Sequence, residues 1–248
     1  MGVAVAAIAF FPGLAFGSFL NVVAARVPLR RSIVHPGSAC MACGTSLAWY
    51  DNLPLLSFAV LRGRCRHCAA PIPWRYPLVE GVTAFLVAAC VLRFGLTADA
   101  ALASFFCAAL VAISATDIEH RIIPNRIVLP AAGLVLAGNT LLHPSVAWVV
   151  AGLGAALFLL VAALAYPGGM GMGDVKLALL LGVALGPTVV VAMMVGMVSA
   201  LVPSVVLYAR HGSAARKMRI PFGPFLAFGG VVALFAGPAL LDAYLSLL

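Results

Sequence analysis

Charge is scarce in this sequence. Of 248 residues, 7 are Asp or Glu and 15 are Lys or Arg, together 9%, against roughly 25% in a soluble domain. With 64% of its residues hydrophobic, a water-soluble globule of this size would lack the polar surface to cover itself. The same richness in apolar residues excludes a disordered chain. There is no low-complexity tract and no convincing internal repeat. The five histidines show no H-E-x-x-H spacing, and no Ser/His/Asp grouping is visible. No Lys or Arg precedes the first apolar run, so that run is not expected to be a cleavable signal peptide and reads as a retained span. The net charge of +8 comes without a basic stripe interleaved with aromatics, so nucleic acid is not an expected partner. Basic residues on cytoplasmic loops are the normal pattern of a membrane protein.

What is present is a series of apolar segments, at about 2–25, 77–97, 100–116, 127–142, 145–166, 175–186, 188–208 and 224–247. A span needs about 20 apolar residues. The fold class expected is therefore an all-α integral membrane protein of about eight transmembrane helices. Residues 175–207 are too many for one comfortable span and too few for two full ones, and Gly186-Pro187 marks a turn between them. Charge bias decides for two. With eight spans and both termini outside, every Lys and Arg except Arg93 falls on the cytoplasmic side. The sixth span is then short: about 12 residues reach about 18 Å of a ~30 Å hydrocarbon core. Its cytoplasmic start should lie recessed below the membrane surface. The organisation expected is a first transmembrane helix (1–25), a cytoplasmic loop domain (26–76) and a seven-helix membrane core (77–248).

The loop carries two C-x-x-C pairs, Cys40-Met41-Ala42-Cys43 and Cys65-Arg66-His67-Cys68, separated by 21 residues. Four thiolates in this pattern suit tetrahedral zinc in a small zinc-ribbon-like domain. Two disulfides or a redox site would use the same residues, but disulfides rarely persist in the cytoplasm. Four protein ligands leave no open position, so the zinc is expected to be structural. A loop of about 50 residues with few apolar side chains needs such a staple to fold. Cys90 and Cys107 fall singly within spans and read as packing residues.

Acids near a bilayer are costly and therefore worth placing. Asp51 lies in the cysteine loop. Asp99 and Asp242 fall near the outer face as solvated interface residues. Glu80 lies just inside the second span, placed either to pair with a neighbouring Arg or to face a site. Asp117 ends the third span, in Ala115-Thr116-Asp117-Ile118-Glu119-His120-Arg121. Asp174 opens the sixth, in Gly171-Met172-Gly173-Asp174-Val175-Lys176. One span out and one back return both carboxylates to the cytoplasmic face. Glycines at 168, 169, 171 and 173 allow positive φ and close approach of a substrate backbone. Two carboxylates facing one water share a proton: one acts as base toward the water, the other polarises a carbonyl. Three other readings remain open from the residues alone. They are an ion pair with Lys176 or Arg121, helix capping by Asp174, and a proton relay in a transporter.

At these positions the sequence resembles the bacterial prepilin peptidases, the type 4 prepilin leader peptidase and N-methyltransferase family of G-x-G-D aspartic proteases. The likeness runs through nearly the whole chain. It includes Phe16-Gly17-Ser18-Phe19-Leu20-Asn21-Val22, both C-x-x-C pairs, and Pro73-Trp74-Arg75-Tyr76-Pro77-Leu78-Val79-Glu80. It continues through Asp117 with Ile123-Pro124-Asn125, Gly171-Met172-Gly173-Asp174-Val175-Lys176-Leu177, and Ile220-Pro221-Phe222-Gly223-Pro224-Phe225-Leu226. A G-x-G-D alone is weak, but six motifs in this order are specific. The resemblance implies a protein of the bacterial cytoplasmic membrane whose active site faces the cytoplasm. It implies cleavage of type IV prepilins or pseudopilins after a Gly that ends a basic leader. Asp117 and Asp174 would be the catalytic pair, with Gly171, Gly173 and Lys176 supporting it. Relatives with the cysteine loop often also methylate the new N-terminal amine with S-adenosylmethionine. No dinucleotide-type glycine motif marks a donor pocket here.

Two other classes share some of these features. A presenilin-like intramembrane protease has a G-x-G-D motif and a Pro-Ala-Leu; Pro238-Ala239-Leu240 is present but falls toward the outer end of the last span. A proton-coupled transporter could use Asp117 and Asp174 as a relay, and predicts repeated halves with a broken helix near the midplane.

Overall fold

The computed structural model describes residues 2–166, 170–212 and 220–246. Gly168, Gly169, Arg216, Lys217 and Arg219, all weighed above, lie outside them. No strand forms among the described residues. The helices are α1 (Gly2–Arg26), a short α2 (Leu56–Val60), α3 (Arg75–Phe94), α4 (Ala98–His120), α5 (Asn125–Leu142), α6 (Ala147–Ala165), α7 (Met172–Leu185), α8 (Val189–His211) and α9 (Gly223–Leu245). Seven stretches are long and apolar enough to cross a membrane, and one of them, Met172–Arg210, is 39 residues. That stretch holds α7 and α8, parted by the 3-10 turn Gly186–Thr188. Gly186 sits at φ +59, and Pro187 cannot donate to a continuing helix. The fourteen residues of α7 reach about 21 Å, short of a ~30 Å core.

The chain divides into two compact units, Met1–Ala115 and Thr116–Leu248. In the first, α1 packs along α3. A Cβ on Gly17 would meet the Glu80 Cα at 2.6 Å, so only glycine lets the two backbones touch, as small residues do in membrane helix pairs. Ala6, Val91 and Ala100 form a buried cluster at the other end of this unit, with Phe94 against it. Cys90 and Cys107 are both buried, with their sulfurs 3.9 Å apart. They are free thiols filling the core, as expected.

In the second unit α6 packs on α7, where Gly182 meets the Ala151 carbonyl. Asn139 of α5 donates to the Val183 carbonyl at 2.8 Å, a buried polar link between apolar helices. The direction of α8 follows from its neighbours on α9. Thr188 faces Gly237, Ala192 faces Gly229, and Gly196 faces Leu226. Rising numbers on one helix meet falling numbers on the other, so the pair is antiparallel. The outer faces stay apolar: Leu153, Leu157 and Leu164 of α6 are exposed, as are Ile8 and Phe11 of α1. A bilayer, not water, is the solvent such faces suit.

Candidate functional site

The cysteine loop is built from two copies of one knuckle, a short repeat that the sequence shows only as its two C-x-x-C pairs. In the first, the Cys40 N–H bonds the Thr45 carbonyl, Gly44 N–H bonds the Cys40 carbonyl, and Leu47 N–H bonds the Ser38 carbonyl. In the second, Cys65 with Ala70, Ala69 with Cys65, and Ile72 with Gly63 repeat that pattern. Isolated antiparallel bridges close each one, Ala39 with Ser46 and Arg64 with Pro71. Gly44 at φ +71 and Ala69 at φ +54 take the same left-handed position. Between Cys65 and Cys68, Arg66 holds buried Asp51 through two short contacts, 2.7 and 3.0 Å. The loop's acid therefore serves the fold.

The knuckles bring all four sulfurs within 4.8 Å of one another, with Cys40 and Cys68 3.8 Å apart. A tetrahedral zinc with Zn–S bonds of about 2.3 Å has sulfurs about 3.8 Å apart, whereas a disulfide needs about 2 Å. The four thiols are free. The Thr45 hydroxyl and backbone N–H hold the Cys43 thiol down to about 6. At Cys68 the Ala70 backbone is outweighed by burial and the neighbouring sulfurs, which push that thiol up to about 11. The bare cluster thus favours one thiolate first, and a metal ion would supply the charge that favours the rest. The residues thus fit a metal ion, Cys40, Cys43, Cys65 and Cys68 supplying four ligands and closing the coordination sphere.

Glu80 neither pairs with an Arg nor stands alone. Its Oε2 accepts the Leu55 N–H at 2.9 Å, with Ser18 of α1 beside it. Leu55 is at φ +57, so a membrane-helix carboxylate holds a strained turn of the loop.

The second unit gathers Asp117 and Asp174. Asp117 lies in the last turn of α4, which runs three residues past it to His120, so the helix outlasts the apolar span. Arg121 then turns at φ +54 with its N–H on the Asp117 carbonyl. The left-handed residue stops the helix where glycine is usual and sends Ile123 toward α7. Asp174 is in the first turn of α7. Its Oδ2 accepts the Gly171 N–H at 3.2 Å, one half of a capping box. The capping reading therefore holds for one oxygen of Asp174. The Oδ2 of Asp117 accepts the Gly223 N–H at 2.9 Å. Neither Oδ1 takes a protein hydrogen bond among the described residues. Both carboxylates are buried, and each lies within electrostatic reach of the other.

The supporting glycines act differently from expectation. Gly171 is extended at φ −84, and Gly173 is helical, so neither needs a positive φ. The role of Gly173 is to lack a Cβ, which would stand 2.8 Å from the Ile123 Cβ. Lys176 does not pair with Asp174; its Nζ donates to the Asn125 Oδ1 at 2.8 Å, tying α7 to the turn after α4. Gly223, singled out only as part of a motif, turns out to touch Asp117. No local signal marks that contact, which joins residues 106 apart.

These features can be set beside known proteins. The bacterial peptidase A24 N-terminal domain matches residues 11–94, and the type IV leader peptidase family matches residues 104–209. A prepilin leader peptidase/N-methyltransferase of Bacillus subtilis is 35% identical over 97% of this chain and 98% of its own length. One from Burkholderia pseudomallei is 36% identical over 93% and 85%. One from Pseudomonas aeruginosa is 34% identical over 94% and 91%. No solved structure matches. Since the likeness extends end to end and the matched stretches contain both the knuckles and the two buried aspartates, the chain belongs to the type IV leader peptidase family.

Proposed function

We propose that this protein is a bifunctional enzyme of the bacterial cytoplasmic membrane. It cleaves the leader of type IV prepilins and pseudopilins after Gly at the cytoplasmic face, then methylates the new N-terminus. The observation that carries the first activity is the pair Asp117 and Asp174, each with one oxygen held by a glycine N–H and the other left for water. In the reaction, one carboxylate takes a proton from water as its oxygen bonds the scissile carbonyl carbon. The other, protonated, donates to the carbonyl oxygen. Breakdown returns a proton to the leaving nitrogen as the C–N bond breaks, and the pair is ready again.

Topology supports the location. A basic leader stays in the cytoplasm while the apolar pilin segment lies in the bilayer. Arg121, Arg126 and Lys176 are at the dyad's end of their helices. The substrates and the lipid are then the partners, and nucleic acid is not. Cys40, Cys43, Cys65 and Cys68 would hold a structural zinc. When bound, S-adenosylmethionine would supply a sulfonium-borne methyl group, which passes to a neutral amine as the C–S electron pair returns to sulfur and the amine sheds a proton. The presenilin-like reading has no support: Pro238 is about 22 Å along α9 from the Gly223 that touches Asp117.

The test uses purified full-length protein in detergent with a prepilin. Mass spectrometry should show loss of the leader after its terminal Gly and then a gain of one methyl on the product. Intact prepilin, or cleavage elsewhere, would sink the assignment. A finer expectation concerns Gly223→Ala. The added Cβ would sit 2.8 Å from the Asp117 Oδ2, and displacements of that order at a reacting group are costly. kcat for cleavage should fall about tenfold or more while the melting temperature shifts by only a few degrees.

A further inference from the structure

The loop between α1 and α3 is one-sided in charge. Residues 26–76 hold seven arginines and one acid, Asp51, and that acid is buried against Arg66. Arg30, Arg31, Arg62 and Arg64 are exposed, and no carboxylate pairs with any of them among the described residues. The same loop leaves apolar side chains uncovered. Leu56, Ala59 and Val60 of α2 are exposed, at the i, i+3, i+4 spacing that shares one helix face. Arg62 and Arg64 follow closely, because the Arg62 N–H bonds the Ala59 carbonyl and the Arg64 N–H bonds the Leu61 carbonyl.

Two contacts set the height of α2 against α3. The 20 residues of α3 reach about 30 Å, the thickness of a hydrocarbon core. Arg75 therefore lies at the edge of that core, and Glu80 about 7.5 Å further in. Glu80 accepts the Leu55 N–H at 2.9 Å, so α2 begins beside the span rather than out in water. Phe58 packs on Trp74 with ring centroids 4.9 Å apart. The Leu78 N–H bonds the Trp74 carbonyl, so Trp74 continues the exposed stripe of Leu78, Val82 and Phe85 on α3. Tryptophan is enriched at this level of a membrane, and here it joins the outer face of α3 to α2.

We propose that α2 and the arginines after it seat the cysteine loop on the anionic phospholipid of the bilayer that α1 and α3 cross. The apolar face enters the boundary between headgroups and acyl chains, as that of an interfacial helix does, and the guanidinium groups take the phosphates. This needs only the spans, not the cleavage or the methyl-transfer reading. Charge favours lipid over a second copy of this chain, whose own loop would bring the same unpaired arginines face to face.

The test places the full-length protein in nanodiscs of phosphatidylcholine, with or without phosphatidylglycerol. A trace of phospholipid with a diazirine near the glycerol end of its acyl chain is crosslinked, and the adducts are mapped by mass spectrometry. Adducts are expected on residues 56–60 as well as on α1 and α3. Their yield on 56–60 should fall about fivefold without phosphatidylglycerol, and as far in the double variant Arg62→Gln with Arg64→Gln. Leu56→Gln with Val60→Gln, which alters only exposed positions, should lose them too and speed amide hydrogen exchange in α2. Adducts on α3 with none on 56–60 overturn the proposal. So does a yield on 56–60 indifferent to both phosphatidylglycerol and the arginines. Crosslinks between copies at α2 in place of lipid adducts would make a second chain the occupant, which also overturns it. Should a variant lose the normal adducts on α1 and α3, the comparison of the two lipid mixtures on the unaltered protein decides.

Discussion

Asp117→Asn and Asp174→Asn should each reduce the rate of leader cleavage by about a thousandfold or more. General acid–base catalysis contributes roughly 10²–10⁴, and here a single lost carboxylate removes either the base that activates water or the acid that polarises the carbonyl. The substitution is nearly isosteric. An amide oxygen still accepts the Gly223 N–H that Asp117 accepts at 2.9 Å, or the Gly171 N–H that Asp174 accepts at 3.2 Å. Helix ends and packing should therefore survive, and circular dichroism and thermal melting should change little. Groups that act as a unit lose activity non-additively. The double variant should be no slower than the slower single one. Full activity in either single variant would remove the dyad from the mechanism. Activity reduced additively would show two independent roles rather than a shared proton.

Metal analysis of the purified chain should find about one zinc, and Cys40→Ser with Cys65→Ser should reduce that to nearly none. The effect on structure should be large. Around the cysteines themselves the loop is ordered mainly by the two knuckles and the Asp51–Arg66 pair, and small domains held by zinc unfold without it. Arg62, Arg64 and Arg66 lie between and inside the knuckles, so limited trypsin digestion reads the change. The zinc-loaded loop should resist, and the serine variant or a chelated sample should be cut there rapidly. Four sulfurs leave no vacant position for water, so the loss should follow from unfolding rather than from a missing Lewis acid. A metal-free native chain with the same trypsin resistance would refute the metal site.

Much of this was legible from composition. Apolar runs place the helices within a few residues, because a bilayer demands about 20 apolar residues per span whatever packs against them. The same demand explains why two acids stood out. Charge is costly at membrane depth, so Asp117 and Asp174 are conspicuous against a chain that is 64% hydrophobic. The C-x-x-C spacing is local too, since a tight turn sets both thiols toward one point. Gly186-Pro187 likewise announces the break between α7 and α8 through backbone chemistry that needs no partner.

What the order of residues does not show is which distant donor meets which acceptor. Gly223 reaches Asp117 across 106 residues, Asn125 takes Lys176 across 51, and Leu55 takes Glu80 across 25. Ile123 fits over Gly173 because Arg121 turns left-handed, a conformation that arginine does not favour and tertiary packing imposes. The matched knuckles share the C-x-x-C pair and their backbone hydrogen bonds but little other sequence, so their common backbone shows only once they fold. Residue chemistry and the solvent's demands thus determined where the helices run and which acids and thiols stand out as candidates for the chemistry. Only the tertiary structure decided how those groups are held, because such contacts depend on where distant backbone groups come to rest and leave no local or periodic trace.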